Sequence, residues 1–250
     1  MSGIASFGPG IAIITRTDVT PATPINAGFC QSLQISEKGT TKSLYGQNQY
    51  PLVSARSTVK STGKLVAAVA SGIAMNAMFY GQSFVSGGIQ WNIGEAGTVP
   101  GVSTYTVTVA NSATFETDLG VIHTATGLPF QKVASGPAVN QYSVAAGVYT
   151  FAAADANAAV NITYASTIAG GQSLIVTNQP IGFTPTFQLD YYTSLNQPTP
   201  KPFIHRLYAC IASGLDMSFK LEDFMMPSFD FEFFANAANK VREIVFPEVS

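Results

Sequence analysis

The amino-acid sequence predicts a mainly β protein with one short α-helix. In many short segments apolar and polar residues alternate with period two, which is the spacing of strands that have one buried face. Glycine and proline turns separate these segments, as in proteins built from many short strands. The only convincing helix covers residues 72–80, where Ser71 can cap the N-terminus and Gly81 can end the last turn.

The alternation is clearest in residues 216–234, which are predicted to form two strands joined by a turn that contains Pro227. One face of this pair is apolar, and we predict that its phenylalanines lie in the core: Phe219, Phe229, Phe231 and Phe233. The opposite face carries the charged side chains Lys220, Glu222, Asp230 and Glu232.

The rest of the chain divides into an N-terminal arm, further strands and one long loop. Residues 1–27 are rich in Gly, Pro and Thr and predict an extended arm. Residues 37–50 are polar and predict a turn and a long loop. The other predicted strands are residues 29–36, 53–65, 88–95, 103–110, 131–134, 141–145, 148–151, 159–165, 174–177, 186–192, 203–212 and 241–246.

The composition predicts a protein that associates with partner subunits. Hydrophobic residues make up 46% of the chain and charged residues only 10%, against about a quarter charged in ordinary soluble domains. A surface this poor in charge favours association, unless Thr, Ser, Asn and Gln supply a neutral polar surface. The net charge of −2 excludes a strongly basic protein that reads nucleic-acid grooves.

The few charges are unevenly distributed along the chain. Residues 38–94 contain five cations and no acid, whereas residues 216–250 contain seven acids and three cations. Two segments of opposite charge can pair within one subunit or across a subunit boundary, and the sequence leaves both arrangements open.

The sequence predicts a soluble protein made in the cytoplasm, with no membrane partner. The N-terminus lacks the basic segment and cleavage site of a secretion signal. The longest apolar run, within residues 65–79, is interrupted by polar residues and is too short to span a bilayer. Cys30 and Cys210 lie in apolar strands and are predicted to be buried, and the sequence does not decide whether they pair.

Patterns that carry catalysis or bind metals are weak in this chain. His123 and His205 have no cysteine or carboxylate at metal-ligand spacing, so no metal site and no cofactor is predicted. No glycine pattern marks a nucleophilic serine or a phosphate loop. One enzyme hypothesis is a glycosidase that uses two of the carboxylates of Glu222, Asp223, Asp230 and Glu232. A solvated polar face explains the same four residues.

Several motifs resemble those of the tail tube proteins, or major tail proteins, of tailed bacteriophages. They are LYGQNQYP (residues 44–51), basic strand segments with Arg56, Lys60 and Lys64, FYGQ (79–82), GEAGTVP (94–100), GVYTFAAADANAAVNITY (147–164) and ASGLDMSFKLEDFMMPSFDFEFFAN (212–236). The resemblance covers most of the chain from about residue 28 onward, and the last motif is its most specific part.

The resemblance implies an antiparallel β-sandwich with one short helix and a β-rich insertion. It also implies that six copies form a ring, in which strands of all subunits complete a continuous inner β-barrel. Stacked rings would form a hollow tube in the virion tail, assembled in the host cytoplasm. The implied partners are a tape-measure protein and later DNA in the lumen, and tail terminator and baseplate or tip proteins at the ends. Whether a sheath surrounds the tube is left open.

The resemblance also implies two sets of site residues, neither of them catalytic. The loop that clamps one ring to the next would use Lys42, Leu44, Tyr45, Gln47, Asn48 and Tyr50. The lumen would be lined by Lys220, Glu222, Asp230 and Glu232, because an acidic wall repels a passing polyanion. The basic residues within 38–64 are the alternative lining.

The predicted domain organisation takes the arm from composition alone and the tube domain and insertion from the resemblance. Residues 1–27 form the arm, residues 28–100 and 169–250 form the tube domain, and residues 101–168 form an insertion that can also belong to the same domain. Two other functions fit the sequence: a decoration protein or carbohydrate-binding β module, and the glycosidase described above.

Overall fold

The computed structural model describes residues 10–194 and 202–245. The strands, in chain order, are β1 (Gly10–Arg16), β2 (Pro24–Tyr45), β3 (Pro51–Ala67), β4 (Phe84–Thr98), β5 (Thr106–Thr108), β6 (Phe115–His123), β7 (Gln131–Lys132), β8 (Gln141–Ala145), β9 (Val148–Phe151), β10 (Ala159–Leu174), β11 (Thr186–Ser194), β12 (Pro202–Asp216), β13 (Ser228–Phe233) and β14 (Arg242–Val245). The predicted mainly β class with one short helix is confirmed, and only β7 and β8 pair in parallel.

The chain forms two compact units. The first comprises Met1–Ser83 and Val176–Ser250, and the second comprises Phe84–Ile175. The second unit therefore takes in residues 84–100 and 169–175, which the sequence assigned to the tube domain, together with the predicted insertion 101–168.

The first unit is a seven-stranded sheet in the order β11-β1-β2-β3-β13-β12-β14. β11, the first strand in this order, also pairs with β12, the sixth. Within the predicted arm, Gly10–Arg16 is a strand of this sheet, paired with β2 on one side and β11 on the other. The remaining arm residues 1–9 lie outside the described residues.

The predicted helix is present at residues 72–80. It begins as α1 (Gly72–Met75), whose first turn is capped by the Ser71 hydroxyl accepting from the Ala74 amide, and continues as a π-helical turn (Asn76–Tyr80). Gly81 ends it with φ of 63°, a left-handed conformation that glycine adopts without strain. Met78 is buried and joins the core of the first unit.

Three of the four phenylalanines predicted for the core are buried there: Phe229, Phe231 and Phe233. Gly63 on β3 makes room for them, because a Cβ at that position would lie 2.2 Å from the Phe231 ring. The prediction for Phe219 is wrong, since its side chain is 79% exposed. β12 ends at Asp216, which pairs with Ser228, so residues 217–221 have no neighbouring strand to continue the ladder.

A bulge reverses the predicted faces at the start of β2. Alternation placed Phe29 on the same face as Leu33 and Ile35, yet Cys30 is buried and Phe29 is 59% exposed. The register with β3 shifts between Cys30 and Ser32, which adds one residue and exchanges the faces. Cys30, Leu33 and Ile35 consequently contact one core.

The second unit contains a three-stranded sheet, β4-β10-β6, and a four-stranded sheet, β5-β9-β8-β7. Side chains from both sheets, together with Val99, Val109 and Phe130 next to strand ends, form its core. The sheet residues in it are Val121, Tyr142, Tyr149, Phe151, Val160, Ile162 and Tyr164. The predicted strands 141–145 and 148–151 have the predicted bounds. The predicted strand 174–177 is wrong beyond Leu174, where β10 ends, and β6 was not predicted.

Candidate assembly surfaces

The long hairpin, residues 37–60, is the first surface that the subunit leaves uncovered. The sequence predicted a polar loop for residues 37–50, which is wrong in part, because β2 continues to Tyr45 and the turn is confined to residues 46–50. β2 and β3 pair along the hairpin, while β1 pairs with β2 only as far as Cys30 and β13 with β3 only from Thr62 onward. Among the residues that the structure describes, the hairpin is therefore a two-stranded ribbon without a third strand.

Every residue of the long hairpin is exposed. Its large apolar side chains are Leu44, Tyr45, Tyr50, Leu52, Val53 and Val59, of which Tyr50 is the most exposed at 82%. All the predicted ring-clamping residues lie on this hairpin or its turn: Lys42, Leu44, Tyr45, Gln47, Asn48 and Tyr50. Nine strand residues at about 3.4 Å each give it a length of about 30 Å. A two-stranded ribbon of this kind is marginally stable in water by itself.

The charge of the long hairpin is positive. It contains Lys38, Lys42, Arg56 and Lys60, against the single acid Glu37 at its base. Glu37 pairs with Arg242 at 3.2 Å, and Lys60 pairs with Glu232 at 2.9 Å. Within the described part of the chain, the remaining cations of the hairpin form no ion pair.

The acidic loop, residues 216–224, is the second uncovered surface, and it joins β12 to β13. Each of its residues is exposed, including Phe219, Leu221 at 101% and Phe224 at 87%. It carries Asp216, Glu222 and Asp223 against Lys220, whose ammonium lies 3.9 Å from Asp223. The loop is thus both acidic and apolar at its surface.

The four predicted lumen residues do not lie together on one strand face. Asp230 and Glu232 occupy the outer face of β13, as the alternation predicted, opposite the buried phenylalanines. Lys220 and Glu222 lie in the acidic loop. Which of them line a lumen stays a prediction.

The outer face of β13 is neutral rather than acidic. Asp230 pairs at 3.6 Å with Lys64, which lies directly opposite it on β3, and Glu232 pairs at 2.9 Å with Lys60, which lies diagonally opposite. The sequence left open whether the acidic and basic segments pair within one subunit or across a subunit boundary. For Lys60, Lys64, Asp230 and Glu232 the pairing is within one subunit. Beside them, Gln34, Ser36 and Ser213 line a shallow depression of about 330 Å³.

Further cross-strand charge pairs follow on β11, β12 and β14. Arg206 donates to Asp190 at 2.6 Å and lies 3.5 Å from Glu243, which also accepts from the Tyr208 hydroxyl. The hydrogen bond that Arg206 donates to Asp190 raises the pKa of Arg206. Burial, followed by the nearby Arg242 charge, lowers the pKa of the neighbouring His205.

Asp118 is an enclosed charged group of the second unit, with a side chain that is only 4% exposed. It accepts hydrogen bonds from Tyr142 Oη at 2.8 Å, Tyr149 Oη at 3.0 Å and the Gly120 amide at 3.1 Å, and pairs with Lys132 at 3.0 Å. Burial alone would raise the pKa of Asp118, but these partners outweigh it and hold the pKa below its ordinary value. Since every partner is internal, the cluster stabilises the fold and has no acceptor left for a ligand.

Other candidates for chemistry offer no assembled site in the described ranges 10–194 and 202–245. No group of three His, Cys, Asp or Glu side chains there could hold a metal ion. His123 lies in the second unit and His205 in the first. Cys30 and Cys210 are both buried as free thiols. Among the described helices none is long and apolar enough to cross a membrane.

No family model matches the chain, and no curated protein matches it significantly. We therefore infer the function from the sequence motifs and from the exposed surfaces described above.

Proposed function

We propose that the chain is the structural subunit of a bacteriophage tail tube. Copies assemble into hexameric rings, and the rings stack into a hollow conduit through which the genome is delivered. The subunit belongs to the virion tail and is not an enzyme. A sandwich-like tube domain that completes a shared inner barrel is part of the proposal.

The observation that carries the proposal is the long hairpin. A monomer gains nothing from an isolated ribbon about 30 Å long with exposed Leu, Val and Tyr side chains, because such a ribbon is marginal in water and prone to aggregate. An assembly removes both costs by packing the ribbon against another subunit. The low charge content of the chain supports the same conclusion.

Electron microscopy of the purified protein tests the proposal directly. We expect rings or tubes with a central hole, and mass measurement should give six copies in each ring. A protein that stays monomeric at high concentration contradicts the proposal.

The neutral face of β13 changes how a lumen assignment is tested. Replacing Asp230 and Glu232 by lysine would set like charges beside Lys64 and Lys60 and disturb the sheet itself. Neutral replacements avoid this. D230N with E232Q leaves two bare lysines, whereas K60Q with K64Q leaves two bare acids, and both break the same two ion pairs.

If this face lines the lumen, only the variant with bare lysines retains DNA. We expect slower genome ejection from particles built with D230N/E232Q and unchanged ejection with K60Q/K64Q. Equal ejection rates from particles of normal shape would remove these residues from the lumen. Equal slowing by both variants would indicate that the ion pairs act through stability instead.

The two alternative functions have weaker support. A carbohydrate-binding module is favoured only by Trp91 on β4, which is 67% exposed, but its exposed neighbours on the same face are Ile89 and Ile93 rather than the polar groups that orient a sugar. For the glycosidase, Asp230 and Glu232 lie on one strand and contact lysines instead of facing each other across a cleft. Glycan hydrolysis abolished by E232Q would overturn this judgement.

A further inference from the structure

The long hairpin and the acidic loop project from opposite ends of the same strand pair. β13 runs antiparallel to β3, with Glu232 opposite Thr62 and Ser228 opposite Val66. The hairpin joins β3 just before Thr62, and the acidic loop joins β13 just before Ser228. Since β3 extends from the hairpin at one end to the loop at the other, the two surfaces point in opposite directions along the strands.

The two surfaces are complementary in chemistry. Beyond its base the hairpin carries Lys38, Lys42 and Arg56 with no acid, while the acidic loop carries three acids and one lysine. Both surfaces also expose large apolar side chains, chiefly Tyr50 on the hairpin and Leu221 and Phe224 on the loop. Opposite charge surrounding exposed aromatic and aliphatic groups is the arrangement found at specific protein interfaces.

We propose that the acidic loop of one subunit is the docking surface for the long hairpin of a second copy stacked above or below it. This inference rests on the proposed function and names the acceptor surface for the hairpin. The contact joins two different patches at opposite ends of the β3–β13 strand pair, so it is heterologous, and repeating it continues an open stack instead of closing a dimer. Apolar contacts of Phe224 and Leu221 with the hairpin supply the buried area, and the charges set direction and register.

Charge reversal tests the contact in the full-length protein. R56E on the hairpin and E222K on the loop each place like charges in the interface, and we expect each to raise the protein concentration needed for tube formation by about tenfold or more. The double variant R56E/E222K restores opposite charges between neighbouring copies and should recover tubes. E116K, at an exposed position in the second unit, is the matched control for E222K and should assemble as the wild type does.

The readout separates failure of this inference from failure of the proposed function. Single rings counted by electron microscopy report the ring, and stacked rings report the hairpin contact. Wild-type protein that forms neither would overturn the proposed function and this inference with it. Wild-type tubes that are unaffected by both single reversals, or that the double variant fails to restore, would overturn the inference alone.

A cross-linking experiment gives an answer that does not depend on the charge variants assembling. A photoreactive phenylalanine analogue in place of Tyr50 is incorporated into protein labelled with ¹⁵N and mixed with unlabelled protein. We expect mixed-isotope cross-links to peptides from residues 216–226. Cross-links that fall consistently elsewhere would assign the hairpin to another surface and overturn the inference.

Discussion

Removing the Asp118 carboxylate should selectively destabilise the second unit. In Asp118→Ala the hydroxyls of Tyr142 and Tyr149 lose their acceptor, and both tyrosines are almost fully buried. An unsatisfied buried polar group costs about 1–3 kcal/mol, so two of them cost about 2–6 kcal/mol. Lys132 is half exposed and regains water, so its share is small. A loss of this size is a large part of the about 5–15 kcal/mol that stabilises a typical domain.

Hydrogen exchange followed by mass spectrometry measures this loss in each unit separately. We expect faster exchange in peptides from residues 84–175, by about thirtyfold or more, and unchanged exchange in peptides from the sheet of the first unit. The triple variant D118A/Y142F/Y149F removes donors and acceptor together and should recover most of the protection, because deleting both partners leaves nothing unsatisfied. Wild-type protection in Asp118→Ala, or a triple variant less protected than the single one, would refute the reasoning.

Three further outcomes follow from burial and close packing. The pKa of Asp118 is held below its ordinary value of about 3.9. The contribution of the Asp118 carboxylate to the free energy of unfolding is therefore fully present above that pH and is lost as the pH falls through the folded-state pKa. The difference in unfolding free energy between wild type and Asp118→Asn should stay constant from pH 7 to about 5 and shrink below about pH 4. Gly63→Ala forces a methyl group against the buried Phe231 ring and should cost about 1–3 kcal/mol in chemical denaturation, whereas Gly72→Ala meets open space and should be neutral or stabilising. Burial raises the pKa of the Cys30 thiol to about 11, so thiol reagents should label the folded protein only as fast as the first unit opens; rapid labelling of both cysteines in native protein would contradict this assignment.

The fold class was predictable from sequence because alternation with period two is a local signal. Phe229, Phe231 and Phe233 were placed correctly since β13 is regular throughout. The same pattern failed for Phe219, where no neighbouring strand continues the ladder, and pairing is a long-range property. Phe29 was misplaced because a bulge leaves almost no trace in the sequence.

The candidate surfaces were predictable only in part for the same reason. Polar and small residues around Gly46 indicated a turn, but they gave no sign of how long the hairpin is. The two strands of the hairpin pair with each other and have no buried face, so they show no apolar alternation. The charges on β13 were assigned to one face correctly. Their pairing with Lys60 and Lys64 depends on the register between β3 and β13, which the sequence does not encode locally.

In the stack that we propose, the distribution of ion pairs would explain how so few charges direct assembly. Cross-strand pairs neutralise the outer face of the first unit, where Lys60, Lys64, Asp230 and Glu232 cancel one another. With that face neutral, two regions keep a net charge: the long hairpin is cationic and the acidic loop is anionic. Because pairing in the wrong orientation would bring like charges together, hairpin to hairpin or loop to loop, the same few charges also disfavour closed dimers. A chain with 10% charged residues can in this way specify a polar, repeating stack.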